Sequence, residues 1–138
     1  MILIGDIGNT DTKICLINSN YKIIKRLVLP TQKINNSLLF QSLYFIIKRK
    51  INIKKSLFSS VVPNQFNLIK SFIKKKFKTK CIELKKLNLN KIMKIKVNRK
   101  QIGSDRLANS IAVISKNKNF IILDFGTATT FDVVIGNV

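Results

Sequence analysis

At 138 residues with a formal net charge of +20, the chain is long enough to bury a real core, and its 46% apolar content excludes a disordered polymer. It has no histidine, which excludes every mechanism that needs an imidazole. No stretch reaches the roughly eighteen uninterrupted apolar residues of a membrane helix, and the first run carries Asp6 with no basic region ahead of it, so a cytoplasmic chain without a membrane partner is expected.

The first thirty residues divide into three strand-like runs, ILIGDIG, TKICLINS and YKIIKRLVL, broken at Gly8-Asn9 and at Asn18-Ser19-Asn20 and read as two consecutive hairpins. Residues 37–50 carry Leu38, Leu39, Leu43, Phe45, Ile46 and Ile47 on a broad helical stripe, with Ser37 as the expected cap. SLFSSVV at 56–62 reads as a short buried strand stopped by Pro63. A helix is expected from Gln65 through Phe77, a strand at CIEL, 81–84, and no assignment follows for the Lys- and Asn-rich 85–98. IGSDRLANSIAVISK at 102–116 has helical spacing, and NFIILDFG with TTFDVVIG reads as a hairpin. The predicted order is β-β-β-α-β-α-β-α, then β-β.

The charge invites a nucleic-acid reading. However, 22 of the 26 basic residues are Lys and only four are Arg, in a chain also crowded with Ile and Asn, as A/T-rich codons dictate. The Lys runs lack interleaved aromatics for base stacking, and no specific nucleic-acid partner is expected. Cys15 and Cys81 lack metal-ligand spacing and read as reduced, half-buried thiols. The six acidic residues are more telling: all but Glu83 fall in three short windows, 6–11, 105 and 124–132. Clustering of so few carboxylates points at chemistry.

Two of those windows repeat one design, an apolar strand running into an Asp-x-Gly turn with Thr: DIGNT at 6–10 and DFGTATTFD at 124–132. An Asp ending a buried strand presents its carboxylate to a cleft, the Gly lets backbone N–H groups approach a phosphate, and Thr adds a donor. Two such hairpins are suited to gripping one polyphosphate from both sides. The phosphate loop G-x-x-x-x-G-K-[ST] and the dinucleotide G-x-G-x-x-G are absent. Asp11 and Asp132, which follow their turns, read as solvated or paired with Lys, and SSVVP at 59–63 as core with a Pro stop.

DIGNTDTK, SSVVP, IGSDRLANSIA and DFGTATTFDVV, in that order, resemble the type III pantothenate kinases, members of the sugar-kinase, actin and heat-shock ATPase superfamily. The resemblance covers this whole chain and the first half of a family member. It implies an α/β fold, with a ribonuclease-H-like β-β-β-α-β-α-β-α domain over 1–117 and the first hairpin of a second, incomplete one over 118–138. It implies ATP-dependent phosphorylation of pantothenate, the first step of coenzyme A synthesis. Asp6, Ile7, Gly8, Asn9, Thr10, Asp11, Thr12 and Lys13 match the first ATP loop, Asp6 lying near the nucleotide's Mg²⁺, and Thr127 matches a second ATP contact. Gly103, Ser104, Asp105 and Arg106 match the pantothenate contact, with Asp105 as catalytic base. Asp124 matches the ligand of a monovalent cation, K⁺ or NH₄⁺. The family's Tyr-x-Asn-Pro is KVNR here, with Lys96 in the Tyr position and Arg99 replacing Pro. A homodimer is implied, or a separate chain supplying the C-terminal half. The alternatives are a non-catalytic relic and a regulatory or nucleic-acid-binding member of the same superfamily.

Overall fold

A computed structural model describes residues 1–126 and 128–136. Strands β1 (Ile2–Ile7), β2 (Asp11–Ile17), β3 (Ile23–Pro30), β4 (Lys55–Ser60) and β5 (Cys81–Glu83) form one mixed sheet in the order β3-β2-β1-β4-β5. The first three are joined antiparallel by the two expected hairpins, whereas β1–β4 and β4–β5 run parallel and are reached through helical connections. Strands β6 (Phe120–Phe125) and β7 (Thr129–Val134) form a separate two-stranded sheet among the described residues. The element order is therefore the predicted one.

Period-two alternation assigns the faces of the main sheet. Leu3 and Ile7 of β1, Ile14 and Leu16 of β2 and Phe58 of β4 are buried together under α1 (Asn36–Ser42), α2 (Tyr44–Lys48) and α3 (Pro63–Phe77), which contribute Leu39, Ile46, Phe66, Ile69, Phe72 and Ile73. A second, smaller core on the opposite side joins Leu107 of α4 (Ser104–Val113) to Ile102, Leu84 and Leu89, with Leu57 and Ile111 against it.

Several boundaries differ from expectation for local reasons. The predicted helix over 37–50 is two short helices. The Leu43 carbonyl accepts from Ile46 N as well as Ile47 N, tightening the turn so that Leu43 and Ile46 are both buried. Its cap is Asn35, not Ser37: Asn35 is extended and its side chain accepts from Leu38 N at 2.9 Å. Pro63 does not merely stop β4. It occupies the first turn of α3, where a missing N–H costs nothing. The strand expected over 81–84 ends at Glu83, and Leu84 opens the first of two single 3-10 turns, Leu84–Lys86 and Leu89–Lys91, that run into the unassigned 85–98 stretch. Arg99 ties it down, donating to the carbonyls of Lys85 and Leu87.

Gly5 is required by a close approach. It pairs with Phe58 across β1–β4, and that ring, fully buried, fills the space where a Cβ would stand. A methyl there would lie 2.8 Å from Phe58 Cζ and nearer still to Cε1 and Cδ1. Gly5→Ala is expected to destabilise the chain by about 1–3 kcal/mol, the usual range for overpacking. Urea unfolding measures it, and a midpoint equal to wild type would contradict this packing.

Candidate functional site

The face of the sheet opposite the larger core carries polar groups at its centre. Ile4 and Asp6 lie on this face of β1, and their register partners on β2 are Cys15 and Lys13. Ser59 of β4 stands beside Asp6 on the other flank. Helix α4 crosses this face, and the β6–β7 hairpin packs on α4. Between them lies an open cavity of about 630 Å³, lined by Asp6, Lys13, Ser59, Asp105, Asn109 and Asp124 among others. Three of the six carboxylates of the chain, separated by up to 118 residues, thus meet in one cleft.

Each carboxylate has a distinct setting. Burial pushes the Asp6 carboxyl above its ordinary value; Ser59 and Lys13 oppose that shift, while the negative charges of Asp105 and Asp124 add to it. Asp105 is the second residue of α4, and its Oδ1 accepts from the Arg106 backbone N at 2.8 Å, in the favourable field of a helix N-terminus. That fold-back depends on Gly103, because a Cβ at Gly103 would collide with Asp105 Oδ1. Asp124 Oδ2 accepts from Asn109 Nδ2 at 3.0 Å, and Oδ1 has no hydrogen bond among the described residues.

The first turn is built from beneath. Gly8 N donates to Asp11 O at 3.0 Å, closing the β1–β2 connection. Thr31 Oγ1 donates to Gly8 O at 2.8 Å, which leaves Thr12 Oγ1 as the donor in its 2.9 Å contact with Thr31 Oγ1. Thr31 N donates to the Thr10 carbonyl. Ile7 and Thr12 are therefore buried supports whose side chains face inward, whereas Asn9, Thr10, Asp11 and Lys13 are exposed. Of residues 6–13, Asp6 and Lys13 line the cavity. Thr127, matched to ATP by resemblance, lies outside the described residues.

On α4, Ser104 is buried and its hydroxyl donates to the carboxylate of Glu83 on β5, so it faces the sheet and not the cleft. Arg106 is turned to β7, where it meets Asp132. Asp132 is neither solvated nor paired with Lys, as its position after the turn suggested; it is buried against a guanidinium. Lys96 is exposed and does not line the cavity. Sequence reading missed Asn109, Ser59 and Glu83. Asn109 had a usable signal: it lies four residues after Asp105 and so shares its helical face.

A family model described as type III pantothenate kinase matches residues 2–137. The chain is 64% identical over 137 residues to a type III pantothenate kinase of Pelagibacter ubique, covering 99% of this chain and 55% of that protein. It is 37% identical to one from Sulfurihydrogenibium sp. (99% of this chain, 56% of that one) and 32% identical to one from Desulforapulum autotrophicum (97% and 53%). The chain spans about half the length of the curated relatives it matches.

The raised carboxyl of Asp6 has a stability consequence. The folded chain holds that proton more tightly than the unfolded one, so this contribution is full below the ordinary carboxylate value and is lost as pH rises through the raised one. Asp6→Asn is therefore expected to melt higher than wild type at pH 7, with the gain shrinking toward pH 3. Thermal scans across that range decide it, and a lower melting point at pH 7 would contradict it.

Proposed function

The chain belongs to the type III pantothenate kinase family, and from that premise we propose that its cleft performs ATP-dependent phosphorylation of pantothenate, the entry to coenzyme A synthesis. The observation that carries this reading is the convergence of Asp6, Lys13, Asp105 and Asp124 on one cavity. With no histidine in the chain, proton removal falls to a carboxylate. Asp105 accepts the proton of the pantothenate hydroxyl as its oxygen bonds to the γ-phosphorus. The bond to the β–γ bridging oxygen breaks and ADP leaves with the electron pair. Lys13, exposed on the same face, neutralises phosphate charge, and the backbone of Gly8, Asn9, Thr10 and Asp11 offers the close approach a phosphate needs.

The donor set suits a Mg²⁺ that arrives with the nucleotide. No group of three or more ligating side chains exists among the described residues, and Mg²⁺ is ordinarily held by one or two carboxylates together with substrate phosphates and water. Asp6 would hold it, and when bound it would neutralise charge on the transferring phosphoryl group. Asp124, a hard oxygen donor with one oxygen committed to Asn109, would hold the monovalent cation, K⁺ or NH₄⁺.

The domain reading follows the same line: residues 1–117 as a ribonuclease-H-like unit, with 118–138 opening a second. Its support is the hairpin's outer face, where Ile121, Leu123, Phe125, Phe131 and Val133 are each at least half exposed. A single apolar face of this kind marks an interaction surface. We assign its cover to a segment equivalent to the C-terminal half of the relatives, in the same or a separate chain, or to a second copy of this chain. It also favours a second reading, in which residues 1–138 by themselves keep the cleft residues without turnover.

The assay measures ADP release with ATP, Mg²⁺, K⁺ and pantothenate, for the chain alone and supplemented with the C-terminal half of the Pelagibacter relative. Turnover is expected at least in the supplemented sample, with Asp105→Asn lowering kcat by about 10²- to 10⁴-fold. Absence of turnover and of ATP binding in both samples would overturn the kinase reading.

A further inference from the structure

Helix α4 meets the hairpin at two polar points, and the second plays no part in the proton transfer just described. Arg106 Nε donates to both oxygens of Asp132, at 2.9 and 3.0 Å, and Nη2 donates to Asp132 Oδ1 and, at 3.1 Å, to the Phe131 carbonyl. Asp132 is buried, whereas the Arg106 side chain keeps 34% of its surface exposed. Nη1 has no hydrogen bond among the described residues. The carboxylate therefore grips one edge of the guanidinium and leaves the other edge open.

This is the one salt bridge among the described residues of a chain with 26 basic side chains. As a mere fastener it would be a poor choice. Desolvating such a pair costs about what its attraction returns, and apolar partners would hold a helix to a hairpin as well. What it provides that Leu or Val would not is a cation of fixed direction, because Arg is planar and a side-on carboxylate fixes the plane. Arg106 follows directly on Asp105, and the two side chains leave the same turn of α4 in different directions, Asp105 to the cleft and Arg106 to the hairpin whose β6 strand walls that cleft.

We propose that Asp132 is the positioning residue for Arg106, holding the guanidinium by its Nε–Nη2 edge so that the Nη1 edge meets the carboxylate end of the substrate. The inference rests on the kinase reading above and deepens it: Asp132 makes the site select an anionic acceptor over its neutral analogue. Carboxylate recognition thereby becomes a property of a residue pair divided between α4 and β7.

The test compares pantothenate with panthenol, in which a neutral alcohol replaces the carboxylate, using calorimetric affinities and KM in whichever form of the protein turns over ATP. Wild type is expected to prefer pantothenate. Asp132→Asn is expected to weaken pantothenate about tenfold or more, raising KM with kcat nearly unchanged, while leaving panthenol within about twofold. Asp132→Glu, which keeps the charge and covers the case where Asp132→Asn fails to fold, is expected to show the same selective loss at about threefold. Equal weakening of both ligands would reduce Asp132 to a fastener and overturn the proposal, as would no change in either. A wild type that binds both ligands equally while still phosphorylating them would overturn it and leave the kinase reading standing. A wild type that binds neither, nor ATP, overturns the kinase reading and this inference together.

Discussion

Helix α4 is the constraint on which the rest of the site depends. One side of it buries Leu107 in the smaller core against Leu57 of the five-stranded sheet. Another sends Arg106 and Asn109, three residues apart and so on neighbouring positions of the surface, to Asp132 on β7 and Asp124 on β6. A ten-residue helix thus sets the spacing between two separate sheets, and Asp105 rides on it between them. Helix propensity does little here, since SDRLANSIAV is an indifferent helix former; tertiary packing holds the element in place.

The cleft is built against stability. Three carboxylates share it, one of them raised above its ordinary value by burial, with Lys13 as the lining cation. Concentrated like charge of this kind is costly for an empty fold and useful for one that receives a multivalent cation and a polyphosphate. The acid-poor composition sharpens the contrast: carboxylates elsewhere in the chain number three, Asp11, Glu83 and Asp132, and two of those serve α4, through Ser104 and Arg106.

Much of the scaffold was legible because alternation and helical spacing are local signals. The strands and helices follow the anticipated order, with the one helix expected over 37–50 split in two, and the paired Asp-x-Gly turns pointed to the cavity that Asp6 and Asp124 both line. What local pattern could not carry was orientation. Thr12 looks like a phosphate donor in DIGNTDTK, yet strand parity turns its hydroxyl inward to Thr31. Ser104, in the middle of the motif that resembles a substrate contact, is claimed by Glu83 from β5. Asp132 resembled a solvated residue because its partner lies 26 positions away on another element. The Leu43 tightening and the Asn35 cap were invisible for a related reason: competing caps and a shared carbonyl are settled by packing, not by sequence spacing.

The hydroxyl relay from Thr12 through Thr31 to the Gly8 carbonyl pins the underside of the first loop to the sheet. A loop so braced has little configurational freedom left to surrender when an anion settles on it. The facing wall is fastened differently: a short helix is joined to the hairpin by two polar rivets, Arg106 to Asp132 and Asn109 to Asp124. In mechanical language the cleft has an anvil fixed to the five-stranded slab and, facing it, a plate riveted to α4.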